Sequence, residues 1–214
     1  MKKILLFDWD GVLVDTMFNH TCLATECICK NFKVSEEEVI KKYTETTGLP
    51  FDNQLEMIFP NEKKYLKENC AKEYHKRKIV DVYSNFKEFP EVVKVLEKIK
   101  EKKDIVIIIS SGTEENIINN WVKKHNLGLE VFGKESGLKE NHISKIKKNL
   151  PNRKNIFISD SILDMKLPVD ISLGVNVSEN EKDIFFDGGA EHVYHGPISF
   201  SWLNTVKDYL FDIE

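Results

Sequence analysis

Short apolar runs, each bounded by polar residues, punctuate this chain and read as strands. "KILLFD" (3–8) opens the series and "DIVIIISS" (104–111) is its longest member. "LEVFG" (129–133) is shorter, "NIFISD" (155–160) and "ISLGVN" (171–176) follow, and "HVYH" (192–195) is a candidate sixth. Between them the apolar residues take helical spacing. In "PEVVKVLEKIKEKK", Val92, Leu96 and Ile99 fall at i, i+4 and i+7, with Pro90 near the start. Ile117, Ile118, Trp121 and Val122 make a stripe in "EENIINNWVKKH". Ile143, Ile146 and Leu150 do the same in "NHISKIKKNLP", where Pro151 stops the helix. Strands that are apolar throughout, alternating with helices, predict an α/β fold with a parallel sheet covered on both faces.

Residues 17–85 break that rhythm. They contain no convincing strand, but they do contain helical spacings, an acidic start at "SEEEV" with Ser35 as N-cap, and breaks at "TTGLPF" and "FPNEK". The expectation is a helical insert over 17–85, with an α/β domain made of 1–16 and 86–214.

Composition narrows the classes. At 214 residues, 41% hydrophobic and 31% charged, the chain suits one large domain, or one domain plus a module, with a sizeable core. A net charge of −4 argues against nucleic acid or an anionic membrane as partner. Among the basic residues only Arg77 and Arg153 are arginines, so an anion site must lean on lysine, backbone amides or a metal. Cys22, Cys27, Cys29 and Cys70 form no C-x-x-C pair and are expected to be small buried fillers. The apolar run of "MKKILLFD" ends at Asp8, short of the roughly 7–15 residues of a signal peptide. No run approaches the roughly 18 apolar residues of a membrane span, so a cytoplasmic location is expected.

The chemistry lies where the strands end. The first run breaks into Asp8 and Asp10, with only Trp9 between them. Residues i and i+2 share a strand face, and two carboxylates that close repel and cost desolvation energy. Something must compensate them. The second long strand ends in Ser110, Ser111 and Gly112 before a helix from about 114, where free amides and the helix dipole favour an anion. The fourth ends in Asp160, with Asp164 four residues on. Ligands of open parallel sheets bind outside the carboxyl ends of the strands, so these groups should converge on one crevice. Several carboxylates there suit a hard divalent cation such as Mg²⁺, and an anion cradle beside them points to phosphate chemistry. Taken singly, each residue reads as a turn or cap; their joint order carries the inference.

"FDWDGVLVDT" resembles the first motif of the haloacid dehalogenase-like superfamily of phosphohydrolases. "IVIIISS" resembles its second motif, with Ser110 as the matching hydroxyl, and "IFISDSILD" its acidic fourth motif. The insert resembles the superfamily's C1-type cap. The resemblance implies an α/β, Rossmann-like parallel-sheet core with an inserted helical cap domain. Lys139 in "GLKENHISKI" fits the third-motif lysine best, with Lys134 as rival. Two departures stand out: no proline follows Lys139, and Ser159 stands where glycine often precedes the first aspartate of motif four.

In the resembling enzymes' scheme, Asp8 attacks phosphorus and Asp10 protonates the leaving oxygen, then activates water. Mg²⁺ would be held by the Asp8 carboxylate, the Asp10 carbonyl and Asp160, with Asp164 as ligand or just behind. Lys139, Ser110, Ser111, Gly112 and the amides near Trp9, Asp10 and Ser111 would hold the phosphoryl oxygens. The expected activity is a Mg²⁺-dependent phosphatase acting on a small phosphorylated metabolite, as a monomer or weak dimer. A phosphomutase of the same superfamily is the alternative, and a phosphate-binding protein without turnover is a further one. Dehalogenation is disfavoured, because the dehalogenase branch lacks the second aspartate, here Asp10. Substrate choice is expected from the insert, where "TETTGLPFDN" (44–53) resembles a cap loop. Lys41, Lys42, Lys76 and Arg77 read as a solvated face or a second anion site, while His20, His75, His192 and His195 show no ligand pattern. Trp9 reads as packing.

Overall fold

The run Lys3–Phe7 is buried at every position, as expected for a strand with both faces covered. The computed structural model describes residues 2–197. Among these, the strands are β1 (Lys3–Phe7), β2 (Ile105–Ser110), β3 (Glu130–Phe132), β4 (Lys154–Ser159), β5 (Ile171–Gly174) and β6 (His192–Val193). They form one parallel sheet in the order β3-β2-β1-β4-β5-β6. All the apolar runs, the candidate sixth included, are strands of this sheet. Phe7 pairs with Ile109 on one side and Ile158 on the other, so Asp8, Ser110 and Ser159 come next at the carboxyl ends of three adjacent strands.

The described chain divides into two compact units, residues 2–14 with 88–197, and Asp15–Lys87. Val14 and Glu88, where the chain leaves and returns, form an isolated antiparallel bridge. The segment Asp15–Lys87 is helical: α1 (Met17–Asn31), α2 (Glu36–Glu45), α3 (Phe51–Ile58) and α4 (Lys64–Asp81). Ser35 caps α2 by accepting from the Glu38 amide at 3.3 Å. Inside this unit His20 lies between two tyrosines, with Nδ1 2.5 Å from the Tyr74 hydroxyl and Nε2 2.9 Å from that of Tyr83. Phe51 stacks on the Tyr74 ring at 3.9 Å. His20 is thus a satisfied core histidine. Lys42 pairs with Glu38 and Arg77 with Glu26 and Asp81, the pattern of a solvated charged face. The cysteines divide: Cys27 and Cys70 are buried, but Cys29 is half-buried and Cys22 exposed, so the expectation of four buried fillers holds for two.

Around the sheet lie α5 (Val92–Lys100), α6 (Glu115–Lys124), α7 (Lys139–Asn149) and α8 (Lys182–Asp187). Ile4, Leu6, Ile108 and Phe157, on one face of β1, β2 and β4, pack with Ile143 and Ile146 of α7. Each such side chain stabilises the fold by roughly 1.5–3 kcal/mol when fully buried. This packing sets α7 so that its first residue, Lys139, stands at the carboxyl end of the sheet. Among the described residues no helix is long and apolar enough to cross a membrane.

Candidate functional site

The chain turns sharply as it leaves β1. The Asp8 amide still donates to Ile158 O at 2.9 Å, extending the ladder by one residue. The Trp9 carbonyl then accepts from the Leu13 and Val14 amides at 2.9 and 3.2 Å. Gly11 takes a φ of 72°, a conformation other residues adopt at a cost. The Trp9 ring is buried edge-on against Trp121, centroids 4.9 Å apart, which bears out its reading as packing. Two anchored neighbours thereby fix the Asp8 carboxylate, which is itself buried. Its Oδ1 accepts from the Trp9 amide at 2.7 Å. Its Oδ2 accepts from Lys139 Nζ at 2.7 Å and faces Ser159 Oγ at 3.3 Å.

The same ammonium donates to Asp164 Oδ2 at 2.5 Å. Asp164 is held in the 3₁₀ turn Ile162–Lys166, whose first turn is capped by Ser161 accepting from the Leu163 amide at 3.2 Å. Ser159 Oγ donates to the same Asp164 oxygen at 2.6 Å. Lys134, the rival lysine, opens the 3₁₀ turn Lys134–Ser136, and its amide donates to Thr113 O at 2.9 Å.

Asp8 and Asp164 thus share one ammonium, and Asp160 lies near enough to feel the charges of Asp8 and Lys139. Burial alone would lower the Lys139 pKa, but Asp164 and Asp8 outweigh it and hold the ammonium above the usual lysine range. Burial pushes Asp160 well above the usual carboxylate range, and the Asp8 charge adds to this. Burial likewise raises Asp164, with Lys139 opposing and Asp8 reinforcing the rise. One ammonium therefore leaves the cluster short of positive charge. The donor set is all hard oxygen, which fits a divalent cation in kind. Among the described residues, no three His, Cys, Asp or Glu groups are already gathered as a metal cluster; the Lys139 ammonium stands between Asp8 and Asp164.

Asp10 points elsewhere: its Oδ2 accepts from Thr113 Oγ1 at 2.6 Å. Ser110 is fully buried, with its Oγ 3.0 Å from His142 Nδ1. Burial holds the His142 imidazole below the usual histidine range, so it is neutral near pH 7. Ser111 follows directly after β2. Its amide donates to Phe132 O at 3.0 Å and its hydroxyl accepts from the Thr113 amide at 3.2 Å, so that amide is engaged with β3 rather than aimed at an anion. The Trp9 amide is similarly turned onto Asp8. At Gly112 an added Cβ would meet nothing within 4 Å, so the glycine leaves open space there.

The expected residues Asp8, Lys139 and Asp164 are thus bonded together, and Asp160 is coupled to them through charge. Thr113 and His142 escaped the sequence reading, which noted Ser159 only as a departure from the family's frequent glycine. Ser159 carried a signal, since it shares its strand face with Phe157 and Asn155 and points where Asp8 points. His142 follows Lys139 at i+3 on one helix face. Thr113 had no signal distinct from a helix-start residue.

The family model for haloacid dehalogenase-like hydrolases matches residues 5–167. No curated protein matches the chain in sequence. Among solved structures, a predicted phosphatase from Clostridium acetobutylicum is 16% identical, with full coverage of both chains at 100% and a TM-score of 0.74. A hydrolase from Pseudomonas syringae is 17% identical, covering 97% of this chain and 99% of its own, with a TM-score of 0.72. A protein assigned as a β-phosphoglucomutase from Thermotoga maritima is 20% identical, covering 96% and 99%, with a TM-score of 0.64. At these identities the likeness is one of fold. The family match, which spans the acidic turn after β1, the end of β2, Lys139 and Asp164, goes further: this chain belongs to the haloacid dehalogenase-like hydrolase family.

Proposed function

We propose that the protein is a phosphatase that hydrolyses a small phosphorylated metabolite through an aspartyl-phosphate on Asp8. The observation that carries this reading is the single ammonium of Lys139, bonded to both Asp8 and Asp164 at the carboxyl edge of the sheet. An Asp8 oxygen attacks phosphorus and the bond from phosphorus to the ester oxygen breaks. Asp10 gives its proton to the departing oxygen. Water then attacks the phosphoryl group on Asp8, Asp10 takes the water's proton, and the bond to Asp8 breaks to release phosphate. Lys139 offsets charge on Asp8 and the phosphoryl oxygens, with Ser110 and Ser111 hydroxyls and the Gly112 backbone around them. Asp8, the Asp10 carbonyl, Asp160 and Asp164 are the groups that would hold Mg²⁺, which supplies charge stabilisation at those oxygens. The helical unit Asp15–Lys87, read as a C1-type cap, selects the substrate.

A panel of phosphate esters (sugar phosphates, phosphoglycolate, nucleotides) assayed with Mg²⁺, with and without chelator, tests this. The expected result is chelator-sensitive release of free phosphate from at least one ester. Isomer formation without net phosphate release makes the protein a phosphomutase. Binding of esters with no turnover makes it a phosphate-ligand protein.

A further inference from the structure

Thr113 stands outside the constellation that the family motifs mark. It is 4% exposed and lies on the loop between β2 and α6. Its hydroxyl donates to Asp10 Oδ2 at 2.6 Å, across 103 positions of sequence. That distance is in the short range of hydroxyl-to-carboxylate bonds, which are stronger than neutral ones.

The backbone of Thr113 is pinned on both sides. Its amide donates to Ser111 Oγ at 3.2 Å, and its carbonyl accepts from the Lys134 amide at 2.9 Å. Gly133 is pressed against it so closely that a Cβ there would come within 2.5 Å of Thr113 O. Glu115 closes the brace by accepting from the Gly133 amide at 3.1 Å and from Ser136 Oγ at 2.6 Å. The Glu115 amide in turn donates to Glu135 Oε2 at 2.9 Å. A β-branched side chain on so fixed a backbone has few rotamers left, so its hydroxyl is aimed before any ligand arrives.

We propose that Thr113 is a positioning residue for Asp10, holding its carboxyl in one orientation for proton transfer to and from the reacting oxygen. This rests on the reading of Asp10 as proton carrier given above. The carboxyl of Asp10 sits on a turn rather than a strand, and a carboxyl free to rotate would lose much of its orientation advantage. The braced loop supplies the rigidity that the turn lacks. A purely structural threonine, by contrast, would tie the loop to the turn and affect every substrate alike.

The test uses the full chain with Mg²⁺ and two esters that the wild type hydrolyses, p-nitrophenyl phosphate and an alkyl phosphate. The nitrophenolate leaves easily and needs little proton donation; the alkoxide needs much. Thr113→Val keeps the shape and removes the donor, and Thr113→Ser keeps the donor. The expected result is that Thr113→Val lowers kcat/KM for the alkyl ester by about tenfold more than for the nitrophenyl ester. KM and inhibition by inorganic phosphate stay within about twofold, and Thr113→Ser recovers most of the loss. An equal slowing of both esters, or a serine variant as slow as the valine one, overturns the proposal. Should the valine variant not fold, as judged by its melting curve, Thr113→Ala carries the same comparison. A wild type inactive on every ester overturns the phosphatase reading itself, and this proposal with it; an active wild type whose variants fail the comparison overturns this proposal alone.

Discussion

Lys139 Nζ lies 2.7 Å from Asp8 Oδ2, although 131 positions of sequence separate the two residues. Their meeting depends on the sheet. β1 carries Asp8 to the carboxyl edge, and the packing of Ile143 and Ile146 on that sheet carries the start of α7 there too. The ammonium also meets Asp164, so one cation holds two buried carboxylates.

Replacing it should therefore be costly. Lys139→Met leaves the acidic cluster uncompensated, and breaking a buried ion pair in this way costs about 3–5 kcal/mol. Urea unfolding at pH 7 checks this, with turnover on any accepted ester falling as well.

Ser159 is the residue whose identity departs from the family's frequent glycine. Its hydroxyl donates to Asp164 Oδ2 at 2.6 Å. Ser159→Ala should cost about 1.5–3 kcal/mol, the worth of a hydrogen bond to a charged group, measured by the same unfolding experiment. Ser161→Ala removes a cap in the same turn and should cost about 1 kcal/mol.

How much of this was legible in the sequence varied with the physics. The strands stood out because a sheet buried on both faces leaves continuous apolar runs, and even the two-residue β6 was marked by His192 and Val193. Their ends were read about one residue long, since Asp8, Ser111 and Asp160 come just after the last residues of β1, β2 and β4. The acidic turn after β1 was legible because two carboxylates that close repel and need something to compensate them. Lys139 could be preferred to Lys134 only by its resemblance to a motif, as the two differ in three-dimensional position and not in chemistry. The parts played by Thr113 and His142 were not legible, and Ser159 showed only as a departure from the family's frequent glycine. A hydroxyl near a helix start reads as a cap, and only the fold shows which carboxylate it meets.

Gly133 makes a prediction about close approach. A Cβ there would lie 2.5 Å from Thr113 O and 2.7 Å from the Glu115 amide nitrogen, both backbone atoms that cannot swing away. Gly133→Ala should lose roughly 1–3 kcal/mol of stability, in the range of overpacking, as a lowered melting temperature. At Gly112 nothing lies within 4 Å of the same added atom, so Gly112→Ala should fold as well as the parent.

The cysteines give a pH prediction. Burial pushes the Cys27 thiol up to about 11 and the Cys70 thiol up to about 12, from 9.0 in the unfolded chain. Native protein at pH 8 should therefore expose Cys22 to a thiol reagent, and Cys29 more slowly, while Cys27 and Cys70 react only after unfolding. A raised thiol pKa favours the folded state at pH below 9, where both states hold the proton. That contribution is lost as pH climbs from about 9 towards 12, because the unfolded chain gives up its protons first. Unfolding midpoints measured from pH 8 to 11 should fall accordingly.

Asp10→Ala should slow turnover severely, by about 100-fold or more, the usual contribution of a general acid–base, while phosphate binding persists. Comparing kcat with inhibition by inorganic phosphate separates the two effects.

In the proposed reaction Asp8 carries the phosphoryl group. Acid-quenching the enzyme during turnover of a radiolabelled phosphate ester with Mg²⁺, followed by peptide mapping, reads this directly. Label is expected on the peptide containing Asp8 in the wild type, with neither label nor turnover in a folded Asp8→Asn variant. Label on a different residue, or undiminished turnover by Asp8→Asn, would contradict it.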